Sequence, residues 1–291
     1  MGNFIVSIVG GAALGATYAL ISLGLVLVFR ATWTFNFAHG QFMLIPALVV
    51  AVLAGSGSMP FGLTVLAALA LIVAISVAFY LTILRRTVGM PHFMAMIATF
   101  GLAAILDGLI SIVFGARERS IEFPGLPAGV VTIAGTRISS ASLAITAIAF
   151  VLATVVVVVM RWTYLGTVIR AAGHDPALAA QGGIHVKYVY VGSWALAAIL
   201  AGVAGILYGS TQVVNTGMLA VGMAAFPAIL LGGIDSVEGA VVGGICIGIL
   251  QGFTATYLGG QYVNLTTYGA LLAVLMVYPQ GLFGTRMVRR L

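Results

Sequence analysis

The sequence predicts an all-α polytopic membrane protein, and its composition carries that prediction. Of the 291 residues, 62% are hydrophobic and only 6% are charged, and the mean hydropathy is +1.20. A soluble domain carries about 25% charged residues, because its surface faces water. The 12 basic and 6 acidic side chains of this chain are too few to cover a globule of its size. The outer surface is therefore expected to face lipid.

Nine apolar stretches supply the predicted membrane segments, since a helix needs about 20 apolar residues to cross the hydrocarbon core. One stretch, 218–231, is short and contains Gly222 and Pro227, which predicts a broken or re-entrant segment. The eight longer stretches are 4–29, 37–55, 61–84, 92–114, 141–160, 188–209, 239–258 and 262–278. We expect a bundle of eight or nine segments that forms a single transmembrane domain over residues 1–291.

The positions of the basic residues predict the topology. Arg30, Arg85 and Arg86, the 161–187 stretch and the C-terminal arginines lie between or after apolar stretches. Cytoplasmic loops of membrane proteins are enriched in Lys and Arg, so these regions are expected in the cytoplasm. The 115–140 loop is then external. The N-terminus is outside and the C-terminus inside if the short segment crosses fully, and one terminus changes side if it does not.

A small β-hairpin is predicted within the external loop. The β-branched run Val130–Ile133 and the run Arg137–Ser139 flank Gly135, which suits a tight turn.

The 38 glycines, about twice the usual frequency of ~7%, predict close packing between helices. Gly11 and Gly15 are four residues apart, as are Gly244, Gly248 and Gly252. This spacing places small residues on one helix face and lets two backbones approach closely. Packing within one subunit is the favoured interpretation, and an intersubunit or gating surface is the alternative.

The chain lacks the residues that nucleotide hydrolysis, redox chemistry or metal binding would require. A P-loop needs a lysine after glycine, and the only lysine is Lys187, in another context. Cys246 is the only cysteine, and His39 has no acid or cysteine at ligand spacing. The scattered basic residues form no patch for nucleic acid. We expect no catalytic residue, cofactor or metal in this chain, so transport energy would come from an ion gradient or another subunit.

Asp107 is the one acid well inside a predicted helix. A charge at the bilayer centre costs about 2.5–3.5 kcal/mol on insertion scales, so this carboxylate needs a partner or a wet cavity. A functional role is the default interpretation of such a residue. Its position toward the outer end of 92–114 also favours a structural role in contact with water.

The 161–187 stretch is predicted to contain a short helix too small to span a membrane. Asp175 suits the N-cap position, because its carboxylate can accept from free backbone N–H groups. Pro176 suits the first helical position, where its missing N–H costs nothing. Gly182 and Gly183 are expected to end the helix after about two turns. Such a helix is marginal alone, so its own bundle or a partner must hold it.

Four segments together resemble one known family. They are Gly15-Ala16-Thr17-Tyr18-Ala19-Leu20, Asn36-Phe37-Ala38-His39-Gly40-Gln41, the Gly173–Ile184 stretch, and Leu231–Ala240. The second is similar to an Asn-Phe-Ala-His-Gly signature and is the most specific. Over nearly its whole length the chain resembles the permease subunits of bacterial ABC importers for branched-chain amino acids, specifically the shorter, LivH-like permease. Asp235 stands where that family usually has glycine, and Asp107 where a neutral polar residue is expected.

The resemblance implies a complex in the bacterial inner membrane. This permease would pair with a second, longer permease, two cytoplasmic ATPase subunits that bind the ATP, and an external solute-binding protein that meets the 115–140 loop. The short helix would couple to an ATPase through Gly173, Asp175, Pro176, Ala179, Ala180, Gly183 and Ile184. The candidate lining residues of the translocation path are Asn36, His39, Gln41, Asp107 and Phe226.

One alternative function remains at this stage. A secondary transporter or channel acting alone would carry ion-dependent flux through Asp107.

For Asn36, a role as a helix cap competes with a role in the path. An intramembrane enzyme would need a nucleophile and a base or clustered metal ligands, and the sequence offers no such spacing. The substrate is expected among branched-chain or other hydrophobic amino acids, amides or urea.

Overall fold

The computed structural model describes residues 2–57, 59–87, 90–127, 129–133 and 135–284. Each apolar stretch predicted from the sequence forms helical structure. The helices are α1 (Gly2–Thr32), α2 (His39–Gly55), α3 (Phe61–Phe79), α4 (Arg85–Thr87), α5 (His92–Phe114), α6 (Ser140–Trp162), α7 (Tyr164–His174), α8 (Pro176–Gln181), α9 (Val186–Gly209), α10 (Met218–Met223), α11 (Ala225–Gly232), α12 (Val237–Tyr257) and α13 (Val263–Val277). A π-helical turn, Tyr80–Leu84, joins α3 to α4, and a 3-10 turn, Gly260–Tyr262, precedes α13.

Six helices in the described ranges are long and apolar enough to cross a membrane. They belong to α1, the continuous helix Phe61–Thr87, α5, α6, α9 and α12. The other predicted segments are shorter, with 17 residues in α2 and 15 in α13. The 218–231 segment is broken as predicted, since α10 ends at Met223 and α11 begins at Ala225. The chain is a multi-pass membrane protein, and eight or nine full crossings stay a prediction.

The predicted external hairpin is present. Strands β1 (Val130–Ile133) and β2 (Thr136–Ser139) pair antiparallel, with Val130 opposite Ser139. Gly135 has φ +83°, a left-handed conformation that glycine adopts without steric cost.

The chain divides into two compact units. One contains the described residues of 1–26, 126–157 and 224–291, and the other contains those of 27–125 and 158–223. Helices α1 and α6 each contribute residues to both units. The single domain expected over residues 1–291 stays a prediction.

In the first unit, α1 packs against α12 through glycines on both helices. A Cβ added to Gly11 would lie 2.8 Å from Ile249 Cα, and one on Gly15 would lie 2.8 Å from Ile245 Cα. A Cβ on Gly248 would collide with the backbone of Gly15. Because lipid provides no hydrophobic drive between helices, such close approach supplies the attraction through dispersion contacts. These glycines therefore pack within one subunit.

A buried hydrogen-bond chain joins α1 and α12 to α13. The Tyr18 hydroxyl donates to Gln251 Oε1 at 2.8 Å, and Gln251 Nε2 donates to Thr267 Oγ1 at 3.0 Å. These bonds fix how the three helices align, because a shift along any helix axis would break them. The sequence analysis missed this network, although Gln251 is a polar residue in an apolar run.

In the second unit, α9 packs against α2 and α3. A Cβ on Gly205 would collide with the carbonyl oxygen of Met43 in α2. The Ser76 hydroxyl of α3 donates to the carbonyl oxygen of Trp194 at 2.9 Å, and the Trp194 side chain is fully buried. Close backbone contact and an interhelical hydrogen bond thus hold this unit as they hold the first.

The glycine contact predicts opposite effects for two Gly→Ala substitutions in the first unit. Gly248→Ala forces a methyl group into the Gly15 backbone and is expected to destabilise the protein by about 1–3 kcal/mol. Gly269→Ala is the matched control, because Gly269 lies in α13 with nothing within 4 Å of an added Cβ. Alanine favours helix by up to about 1 kcal/mol, so this variant should be neutral or more stable. Thermal denaturation in detergent measures both, and equal stability of the two variants would contradict the packing argument.

Candidate functional site

The short helix predicted after Asp175 is present as α8. The Asp175 side chain is its N-cap, since Oδ1 accepts from the backbone N–H groups of Ala177 at 3.0 Å and Leu178 at 2.9 Å. Pro176 occupies the first helical position. The cap satisfies donors that have no partner inside the helix, which defines where α8 begins.

The predicted stop after α8 is also present. Gly183 has φ +83°, its N–H donates to the Ala180 carbonyl oxygen at 3.0 Å, and the Ile184 N–H donates to that of Ala179 at 3.0 Å. This pair of bonds around a left-handed glycine is a Schellman motif. Helix α8 has only six residues, and hydrogen bonds from its own flanking residues fix both of its ends.

A further helix, α7, precedes α8 and was not predicted within the 161–187 stretch. Its residues Val168, Ile169 and Ala172 are buried, whereas Tyr164 and Arg170 are exposed. Apolar residues one and four positions apart make the helix amphipathic, and this spacing was available in the sequence. Together α7 and α8 form a segment that lies outside the long helices and is called here the α7–α8 platform (Tyr164–Gln181).

Two side chains fasten the C-terminal end of α7. Trp33 Nε1 donates to the Gly173 carbonyl oxygen at 2.7 Å, and the Tyr190 hydroxyl donates to that of Ala172 at 3.3 Å. The last carbonyl groups of a helix have no donor inside the helix. These two bonds therefore satisfy carbonyl groups that would otherwise need water. The platform is tied in this way to the chain after α1 and to α9.

Close backbone contacts hold the same helix. A Cβ on Gly173 would collide with the carbonyl oxygen of Arg30, and one on Gly166 with that of Met160. Trp33 has φ +53°, a conformation that is uncommon for a bulky residue. Strained backbone of this kind clusters at functional sites. Here it turns the chain after α1 and brings the indole within reach of Gly173.

The residues expected to couple to an ATPase differ in exposure. Asp175, Pro176, Ala180 and Gly183 are exposed, and Ile184 is half-buried. Gly173 and Ala179 are buried and face this chain itself. The sequence analysis missed Leu178, which is 64% exposed at the centre of α8.

A cavity of about 300 Å³ lies beside the junction of α7 and α8. A π-helical turn contributes to its wall, and such turns frequently occur at functional sites. Its lining includes Trp33, Tyr80, Leu84, Gly173, His174 and Tyr190. The cavity therefore lies next to the end of α7 that these hydrogen bonds hold.

The polar residues at the start of α2 are close together. Asn36 and His39 are fully buried, and Gln41 is half-buried. Asn36 Oδ1 accepts from the Ala38 N–H at 3.0 Å, and this bond stabilises the turn before α2. The N-cap position itself is occupied by Ala38 and not by Asn36. Within the described residues, Asn36 Nδ2 and Gln41 Oε1 are buried without a hydrogen-bond partner. Buried polar atoms are normally paired, so these two call for an explanation.

The other two candidate path residues are not part of this cluster. Asp107 is exposed on α5, in the same unit but not on the helix face that packs inward. That inward face carries Thr99, whose hydroxyl accepts from the Phe37 N–H at 3.2 Å. Phe226 is half-buried in α11 and belongs to the other unit. A translocation path lined by all five residues stays a prediction.

These features define a multi-pass membrane protein of the transporter class. It has long apolar helices packed through glycine, a buried polar cluster at one helix start, and an exposed platform fastened to the bundle. The chain belongs to the family described as branched-chain amino acid transport system, permease component, whose model matches residues 7–278. This family consists of transport permease components rather than enzymes.

Individual relatives agree with that family. The Escherichia coli K12 protein named high-affinity branched-chain amino acid transport system permease protein LivH is 30% identical, and the alignment covers 97% of this chain and 96% of that protein. BraD, the correspondingly named permease of Pseudomonas aeruginosa, is 29% identical with the same coverage. A solved chain of PsaBC from Streptococcus pneumoniae in complex with Fab covers 96% of this chain and 93% of its own length, at 12% identity and a TM-score of 0.48.

The fastening of α7 predicts a specific effect of Trp33→Phe. Losing the indole N–H leaves the Gly173 carbonyl group without its donor, which typically costs about 1–3 kcal/mol for a buried group. Backbone amides of the platform should then exchange with deuterium about tenfold faster, while amides of α12 are unchanged. Trp162→Phe is the control, because Trp162 is 72% exposed. Equal exchange in both variants would show that the Trp33 bond does not hold the platform.

Proposed function

We propose that this chain is the membrane-spanning subunit of an ATP-driven importer for branched-chain amino acids or other hydrophobic amino acids. The observation that carries the proposal is the α7–α8 platform, an exposed segment that hydrogen bonds and close backbone contacts hold to the bundle. A capped short helix that presents an apolar side chain is suited to receive a mechanical push from another subunit. The substrate class comes from the names of the relatives, and the external solute-binding protein would make the finer selection.

The proposed complex contains a second, longer permease, two cytoplasmic ATPase subunits and an external solute-binding protein, in a bacterial inner membrane. Arg170 of the platform and Arg85 and Arg86 of α4 support a cytoplasmic position for this side, because cytoplasmic loops are enriched in Lys and Arg. Leu178 would enter an apolar groove of an ATPase, with Pro176 and Ala180 beside it. Asp175, Gly183 and Ile184 would keep the helix in shape, and Gly173 and Ala179 would transmit force, since they contact the bundle. No cofactor is proposed for this chain, because ATP would be bound by the ATPases.

The first part of the external loop, 115–125, supports contact with a binding protein. Arg119 and Val214 exchange two backbone hydrogen bonds, of 3.1 and 2.8 Å, and the Ile121 N–H donates to the Gly209 carbonyl oxygen at 3.3 Å. Arg119 Nη2 also donates to the Phe114 carbonyl oxygen at 3.1 Å. A loop held at several points offers a preorganised surface, and preorganisation lowers the cost of binding.

The buried polar cluster at the start of α2 is proposed to line the translocation path. An amino acid carries a carboxylate and an ammonium group, which need an acceptor and a donor on the way through lipid. Asn36 Nδ2 can donate to the carboxylate, and Gln41 Oε1 can accept from the ammonium group. His39 lies in the same turn. Phe226 is proposed as a gating side chain, because it lies two residues after the break at Ala224.

Reconstitution separates this proposal from a self-sufficient carrier. Liposomes with the complete complex, loaded binding protein and ATP should accumulate leucine. Liposomes with this chain alone should show no leucine flux above empty vesicles, with or without a proton or sodium gradient. Ion-driven flux through the chain alone, abolished by Asp107→Asn, would favour a secondary transporter instead.

The coupling role of α8 predicts the effect of a charge at Leu178. Leu178→Asp would place a carboxylate in an apolar groove, so leucine uptake by the complete complex should fall by at least about tenfold. Leu178→Met is the matched control, because it keeps the apolar volume and should retain uptake within about twofold. Both variants should reach the membrane in normal amounts, since Leu178 is 64% exposed. Normal uptake by the Asp variant would contradict docking through α8.

A further inference from the structure

Residues 33–38 connect α1 to α2 and are not helical. Burial alternates along this connection, with Asn36 and Ala38 buried and Phe35 and Phe37 half-buried. An alternation with a period of two is typical of extended backbone, in which successive side chains point to opposite sides. The Asn36 side chain therefore lies on the opposite side of the connection from the two phenylalanine rings.

The Thr99 hydroxyl of α5 contacts the backbone on both sides of Asn36. Thr99 Oγ1 accepts from the Phe37 N–H at 3.2 Å and lies 3.1 Å from the Phe35 carbonyl oxygen, to which it can donate. It also lies 2.8 Å from the Met96 carbonyl oxygen in its own helix, so two acceptors compete for its one proton. Thr99 is fully buried, and it holds both the residue before Asn36 and the residue after it.

This contact lies within the membrane-spanning part of α5. Thr99 follows His92, the first residue of the helix, by 7 residues, which is about 10 Å along the helix axis. Non-helical backbone at such depth occurs only where protein or a water-filled cavity surrounds it. One hydroxyl that accepts from an N–H group and donates to a carbonyl oxygen can serve two such backbone groups. The Phe100 ring adds a second attachment, because it stacks on the Phe37 ring with the ring centroids 3.9 Å apart.

The orientation of Asn36 follows from this attachment. With Phe35 and Phe37 held against α5, the alternation turns the Asn36 side chain away from that helix. Asn36 Oδ1 accepts from the Ala38 N–H at 3.0 Å, which fixes the amide group. Asn36 Nδ2 is left buried without a hydrogen-bond partner in the part of the chain that the structure describes. This nitrogen is the donor that the proposed function assigns to the carboxylate of the substrate.

We propose that Thr99 is a positioning residue of the translocation path, whose hydroxyl keeps the Asn36 amide directed toward the substrate. The inference rests on the proposed function in taking Asn36 to line the path. In a purely structural alternative, Thr99 satisfies two backbone groups and does nothing more. Loss of the hydroxyl then acts independently of Asn36, whereas a positioning role requires that it act through Asn36.

Leucine uptake by the complete complex in liposomes tests the positioning role. Thr99→Val keeps the size of the side chain and removes the hydroxyl, so the maximal uptake rate should fall by about tenfold. Thr99→Ser keeps the hydroxyl and should restore uptake to within about threefold of the wild-type rate. Thr64→Val is the matched control, because Thr64 is also fully buried and its hydroxyl donates to the Pro60 carbonyl oxygen at the start of its own helix. This control should stay within about twofold of the wild-type rate.

A double-mutant cycle separates the two roles of Thr99. Asn36→Ala alone should lower uptake by about tenfold, because the donor to the carboxylate is lost. Adding Thr99→Val to Asn36→Ala should lower uptake by no more than about twofold further, since residues that act through one group are not additive. A further fall of about tenfold in the double variant would show that Thr99 acts independently, and the inference would be overturned.

Folding of each variant is established by its amount and monodispersity in detergent. Thr99→Ala takes the place of Thr99→Val if the valine variant is not recovered, since it also lacks the hydroxyl. If neither is recovered while Thr99→Ser folds, the hydroxyl serves folding rather than position, and the inference is overturned.

The remaining outcomes separate this inference from the proposed function. Normal uptake by Thr99→Val would overturn the inference and leave the importer and its path untouched. Normal uptake by Asn36→Ala would overturn both the path at the start of α2 and the inference. Absence of ATP-driven leucine uptake by the wild-type complex would overturn the proposed function as a whole and the inference with it.

Discussion

The fold depends on helix backbones that touch at glycine, because lipid tails solvate apolar side chains as well as a protein core does. Hydrophobic burial therefore cannot hold helices together in this protein, and close contact must replace it. Gly11 and Gly15 of α1 meet Gly248 of α12, and Gly205 of α9 meets Met43 of α2. Each contact requires the absence of a side chain at one position. This explains why glycine is so abundant in helices that it would weaken in a soluble protein.

The same constraint extends to the α7–α8 platform outside the long helices. Gly173 and Gly166 allow α7 to lie directly on the backbone of Arg30 and Met160. The indole of Trp33 and the hydroxyl of Tyr190 then reach the last carbonyl groups of α7. In the proposed mechanism, a force applied to α8 would pass to α1 and α9 through these backbone contacts and hydrogen bonds. Transmission of a push requires that kind of connection.

Features set by local chemistry could be predicted from the sequence, and features set by orientation could not. The start and stop of α8 follow from Asp175, Pro176 and Gly183, whose preferences operate within one turn. The hairpin around Gly135 and the break in 218–231 are local in the same sense. Burial of Ala179 and exposure of Leu178 depend instead on how α8 lies against the bundle. Helix α7 was missed because a search for long apolar runs overlooks 11 residues with one apolar face.

Polar groups that this chain does not satisfy itself have a different meaning in a membrane than in water. An unpaired polar atom at a soluble surface is hydrated, whereas one in hydrocarbon carries its full desolvation cost. Asn36 Nδ2 and Gln41 Oε1 are buried without partners in the described part of the chain, which is consistent with the proposed polar path at the start of α2. Asp107 is exposed on α5, and a carboxylate within a membrane span needs a partner or a wet cavity. Polar groups of both kinds therefore indicate where contact with something other than lipid is expected.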